Sequence, residues 1–151
     1  CDARIDWVDA RAEQFPEVIP GNVQRFIQEH PEVLVEDLRA DAIVLILTHD
    51  HALDYRLLRT LLDETELTSI GMIGSKTKSD RFRARLRRDG IPEEADARWR
   101  CPVGLQTVRG KLPMEVAISI AADVLSQTLP KGSGEPVGVS WKSVQAVLGK
   151  P

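Results

Sequence analysis

Ile43 to Leu47 is an unbroken run of five apolar residues bounded by polar ones. That is the pattern of a strand buried on both faces of a sheet. The run stops at Thr48, and Ala52 to Glu64 then places Leu53, Leu57, Leu58, Leu61 and Leu62 at helical spacing. A helix should therefore follow the strand and lie back across the sheet. The same alternation recurs on either side. Arg4 to Asp9 reads as a strand with Ile5, Trp7 and Val8 as its apolar positions, and Val23 to Ile27 as another. Pro16, Pro20 and Gly21 make residues 12 to 22 a loop. Pro31 suits the first turn of a helix running to about Arg39, with Val33, Leu34 and Leu38 buried. Thr68 to Ser75 is a further strand and turn, in which Ser75 caps a helix from Lys76 to about Asp89, ended by Gly90 and Pro92. Trp99 to Leu105 reads as the last strand. Pro113 opens a helix to about Leu129, with Val116, Ala117, Ile120, Ala121, Val124 and Leu125 on its apolar side.

Strands alternating with helices predict an α/β fold, a Rossmann-like three-layer sandwich with a mostly parallel sheet. It should occupy residues 1–130, with residues 131–151 as linker and tail, because Lys131 to Pro136 has linker composition. Trp141 to Leu148 reads as a small terminal helix capped by Ser140. Asp9, at the end of what would be the second sheet strand, stands where an acidic residue hydrogen-bonds a ribose hydroxyl. The glycine-rich turn that should precede it by about 20 residues is not in the sequence. The first strand and that turn are therefore expected upstream of Cys1.

Composition narrows the partners. A net charge of −3, with 28% charged residues, gives no reason to expect nucleic acid. No apolar run is long enough to span a bilayer. Two cysteines, Cys1 and Cys101, are too few for a disulfide scaffold and point to a reducing cytoplasm.

Ligands of open α/β sheets bind beyond the carboxyl ends of the strands, so those ends carry the candidate chemistry. His49 and His51 have metal-ligand spacing, and Asp50 or Asp54 could add an oxygen. A metal-dependent hydrolase is one function this pair would serve, although His51 could simply begin a helix. Gly71-x-x-Gly74-Ser75-Lys76 is a turn leading into a helix whose free N–H groups suit an anion, without the spacing of a Walker A loop. Lys76 and Lys78 would add charge there. Cys101, before Pro102 and Gly104, is either a buried inert thiol or a soft ligand at the rim of a site. Asp9 with a nicotinamide cofactor would make an NAD(P)-dependent oxidoreductase, although no residues remain for a substrate domain.

Five stretches in this order resemble the C-terminal Rossmann domain of the xanthine dehydrogenase accessory protein family, the XdhC/CoxI type. They are Trp7-Val-Asp-Ala-Arg11, Val44 to Asp54, Ile70 to Lys78, Cys101-Pro-Val-Gly-Leu105 and Pro113 to Ala122. The resemblance implies a chaperone rather than a turnover enzyme. Such a protein binds the molybdenum cofactor, holds it for sulfuration by a partner sulfurase and delivers it to apo-xanthine dehydrogenase, acting as a homodimer. It implies cofactor contacts among Asp9, Arg11, Thr48, His49, His51, Asp54, Gly74, Ser75, Lys76, Lys78, Cys101 and Gly104. The phosphate would sit at Ser75, Lys76 and Lys78, and the metal or pterin end at Cys101, His49 and His51. This requires the loops around positions 49, 75 and 101 to converge.

Overall fold

The structure, a computed structural model, describes residues 3–108 and 112–128. The expected linker and terminal helix lie outside them. Five strands are present: β1 (Ile5–Asp9), β2 (Val23–Ile27), β3 (Val44–Ile46), β4 (Ile70–Met72) and β5 (Trp99–Arg100). Three α-helices accompany them: α1 (His51–Glu64), α2 (Lys76–Arg88) and α3 (Pro113–Thr128). All pairings are parallel, as the alternation predicts.

The strands form two sheets, β1-β2 and β3-β4-β5. A doubly wound sheet places its second and third strands on one side of the first and the rest on the other. β1 and β2 take the second and third positions, and β3 to β5 the last three. No described strand fills the position between β1 and β3, so the sheet is split there. That split overturns the expectation for the run at 43–47. β3 is an edge strand, shortened to Val44–Ile46; Ile46 is buried but Leu47 is 52% exposed. Ile5 and Trp7 on β1 are 49% and 38% exposed for the same reason. Trp7 packs its ring on Phe15, at 5.0 Å between ring centroids.

The hydrophobic core sits around β3-β4-β5. Ile46, Ile70, Met72 and Trp99 from the strands meet Tyr55, Leu58, Leu61 and Leu62 of α1 and Phe82 and Leu86 of α2. β4 is the central strand, and it admits only glycine at position 71. A Cβ there would lie 2.6 Å from Val103 Cγ2 and 2.9 Å from Leu45 Cδ2. Local chemistry sets the helix ends. Asp50 caps α1, accepting from the N–H of Ala52 at 2.7 Å and of Leu53 at 3.3 Å. Arg98 closes its other end, donating to the carbonyls of Leu62 at 3.0 Å and Leu67 at 2.8 Å. Ser75 caps α2 through the Lys78 N–H at 3.2 Å, and Gly90 leaves it at φ +91°.

Three further expectations are corrected. The helix from Pro31 is a 3-10 helix, Pro31–Asp37, and it buries Val35 while Val33 and Leu38 are exposed. Three residues per turn rotate a different face inward than 3.6 would. The segment 12–22 includes a 3-10 turn, Ala12–Gln14. Along α3 only Ile120 of the six expected apolar positions is fully buried, and Met114, Ile118 and Leu125 form an exposed stripe. The residue it buries besides Ile120 is Asp123.

Tyr55, the sole tyrosine, joins α1 to α2. Its hydroxyl donates to Asp89 Oδ2 at 2.7 Å, its ring meets Phe82 edge-on, and the Arg85 guanidinium stacks on it at 3.7 Å. Burial, then the bond to Asp89, pushes the phenol from 10.0 up to about 12. A raised acid contributes stability that is complete below its unfolded value and is lost as pH rises through its folded one. Phenolate absorbance of the folded chain should therefore titrate near pH 12, and near 10 in urea, with unfolding growing easier in between. A folded-state midpoint near 10 would contradict this arrangement.

Candidate functional site

The carboxyl ends of β1, β3, β4 and β5 lie along one edge, and most of the polar residues singled out in the sequence are found there. At its centre is a buried ion pair. Lys78 Nζ lies 2.5 Å from Asp54 Oδ2 and donates to the Ile73 carbonyl at 2.8 Å. Thr48 donates to the other Asp54 oxygen at 2.7 Å, and its hydroxyl accepts from the Asp50 N–H at 3.1 Å. Asp54 is wholly inaccessible and Lys78 nearly so, with Phe82 beneath its ammonium at 5.6 Å. The pair joins the loop after β3, the first turn of α1, the end of β4 and the first turn of α2. Lys78 and Asp54, singled out in the sequence as ligand contacts, have their polar atoms turned inward and already bonded.

Gly74 and Cys101 extend this chain of contacts to β5. A Cβ on Gly74 would meet Lys78 Cδ at 2.6 Å and Cys101 Sγ at 2.8 Å, so the turn closes only with glycine. Cys101 Sγ lies 3.8 Å from the Ser75 carbonyl. The loops around 75 and 101 thus touch directly, and Thr48 reaches both through Asp54 and Lys78. Burial raises the Cys101 thiol, opposed by the attraction of the Lys78 ammonium. Near neutral pH it is a protonated, soft sulfur rather than a free thiolate.

His49 is exposed, and its charge acts on the Asp9 carboxylate across the split in the sheet. Asp9 itself is held in a bidentate pair by Arg11, with both contacts at 3.0 Å, and accepts from the Arg11 N–H at 2.9 Å. Those bonds first, opposed next by burial and then aided by the charges of Arg11 and His49, hold Asp9 below the ordinary carboxylate range. A ribose hydroxyl would have to share Asp9 with its neighbour. His51 is the first residue of α1 and faces solvent. Among the described residues no cluster of three or more His, Cys, Asp or Glu could hold a metal ion.

Beside Cys101 a groove of about 600 Å³ opens between α2 and the loop after β5. Lys76, Arg83, Arg100, Cys101, Gly104 and Asp123 line it. Arg83, Arg100 and Asp123 were not among the residues singled out from the sequence. An aspartate three residues beyond Ile120, on the same side of an apolar helix, was the available signal for Asp123.

Parallel strands linked by helices, with bonded polar groups gathered at their carboxyl ends, define a doubly wound domain of the kind that receives nucleotides and cofactors. The family description "XdhC Rossmann domain" matches residues 1–124, and the chain belongs to this family, as the resemblance implied. The protein YqeB of Escherichia coli (strain K12), itself uncharacterized, is 33% identical over 112 residues, covering 73% of this chain and 20% of that protein. The crystal structure of a xanthine dehydrogenase from Bacillus halodurans superposes with a TM-score of 0.59 at 30% identity, covering 80% of this chain and 35% of that one. The chain therefore spans only a minor part of either relative. No helix among the described residues is long and apolar enough to cross a membrane.

Removing one partner of a buried ion pair strands the other charge and costs about 3–5 kcal/mol. Lys78→Met, which keeps most of the volume, should lower the unfolding free energy in urea by that amount. A loss below about 1 kcal/mol would show that the pair does not hold this edge together.

Proposed function

We propose that this chain is the cofactor-holding domain of an accessory protein that matures xanthine dehydrogenase. Its cargo is the molybdenum cofactor, a pterin whose dithiolene carries the metal and whose tail carries a phosphate. The single observation that carries the reading is the contiguous edge from Thr48 through Asp54, Lys78 and Gly74 to Cys101. It presents a soft thiol beside a cation-bearing groove of small-ligand size.

In this reading Cys101 and His49 attend the metal or pterin end, with His51 further out. Ser75 and Lys76, at the start of α2, attend the phosphate, and Gly104 lines the groove beside them. Asp9 and Arg11 bound the far side. Asp54 and Lys78 act beneath, holding the loops rather than touching the cargo. Cys101 would offer its sulfur to the metal, and the nearby Lys78 ammonium would favour negative charge there. A partner sulfurase and the apo-dehydrogenase would act on the cofactor while it is held at this open edge. The reducing cytoplasm keeps such a thiol free. A dimer of the whole protein belongs to the same proposal.

The chain produced in cells that make the cofactor should carry pterin, read by fluorescence after oxidation. Cys101→Ser and His49→Ala should each cut the pterin retained by about tenfold, the cost of one charge-assisted contact. Retention unchanged in both variants removes the proposal. Stoichiometric zinc with no pterin would favour the hydrolase instead.

A further inference from the structure

We infer that the groove between α2 and the loop after β5 seats a phosphate group, anchored by Arg100 and Lys76. Three of its lining side chains are cations, Lys76, Arg83 and Arg100, and one, Asp123, is a carboxylate. Asp123 is buried on α3, and its charge is consumed internally. Its Oδ2 lies 3.2 Å from Arg100 Nη2 and accepts from the Gly104 N–H at 3.1 Å, while its Oδ1 accepts from Gln127 at 3.3 Å. The Arg100 side chain is 47% exposed, so one side of its guanidinium is fixed by Asp123 and the rest is open to solvent. That is a preorganised fork, and a planar guanidinium suits two phosphate oxygens at once. Arg83 is fixed too, stacked 4.6 Å over Trp99 and paired with Asp96 at 3.1 Å. Lys76 is exposed and has no carboxylate partner among the described residues. The groove thus keeps uncompensated positive charge.

The contrast with Lys78 decides the side. Lys78 belongs to the same first turn of α2, yet its ammonium is spent on Asp54 and Ile73. An anion arriving at this turn meets Lys76 and Arg100 and finds no free charge at Lys78. The ligand class is a small organic molecule bearing a phosphate or diphosphate tail, with Cys101 beside the tail. Only the identity of that molecule rests on the cofactor reading above.

The test titrates the 151-residue chain with inorganic pyrophosphate at low salt, following backbone amides by NMR. Saturable shifts should concentrate on the amides of Cys101 and of Val103 to Gln106. Lys76→Gln and Arg100→Gln should each weaken binding by about tenfold. Arg39→Gln, which removes an exposed cation paired with Asp41, should leave it unchanged. Arg100→Gln also strips Asp123 of its counter-charge, so Lys76→Gln decides the matter if that variant fails to fold. Absence of saturable binding, or equal weakening by Arg39→Gln, overturns the inference. Pterin retention unchanged in both Cys101→Ser and His49→Ala, with pyrophosphate binding intact, would instead count against the cofactor reading alone.

Discussion

The buried pair of Asp54 and Lys78 is the constraint to which the rest of the edge conforms. Two charges taken out of water are costly unless every remaining donor and acceptor is answered. Here Thr48 answers the second carboxylate oxygen and the Ile73 carbonyl answers the ammonium. Satisfying the pair therefore fixes the end of β4 and the loops flanking α1 and α2 together. It also dictates Gly74, since the stem of Lys78 and the sulfur of Cys101 fill the space a side chain would need. Hydrophobic residues of similar volume could fill this site. They would not aim the loops, because dispersion has no preferred direction.

From this support the division of labour along the edge follows. Groups turned inward are bonded twice or more, and they hold geometry. Groups turned outward, such as His49 and Lys76, are exposed and left for a visitor. Cys101 stands at the boundary, buried against Ser75 yet part of the groove wall. Arg100 belongs to both classes, fixed on one side by Asp123 and open on the other. A rigid base beneath a few open contacts is what a protein needs to hold a labile molecule and then release it.

Much of this was legible in the sequence because it is local. Ser75 and Gly90 marked the two ends of α2 by the hydrogen bond one makes and the backbone angle the other permits. Strand positions followed from short apolar runs. What escaped was non-local. Nothing in the neighbourhood of Asp54 tells that a lysine 24 residues away will meet it inside the protein, so both were read as ligand contacts. Pro31 signals a helical start without saying which kind, and the 3-10 winding moved the buried face to Val35. Periodicity along α3 identified an apolar stripe but not whether anything covers it, and most of it is open. Arg83 and Arg100 were not singled out, since only the fold sets them around one groove.

The split between β1 and β3 has an energetic corollary. A two-stranded sheet is marginal in water by itself, and β1-β2 buries little apolar surface of its own. Glu32, in the 3-10 helix that follows the ribbon, meets Arg56 of α1 at 3.5 Å, a surface contact of the kind that contributes little. In the 151-residue chain the amide protons of this ribbon should therefore exchange with solvent sooner than those of the three-stranded half. Asp9 ends β1 and Arg11 follows it, so their bidentate pair sits on a stretch with no fully buried apolar residue.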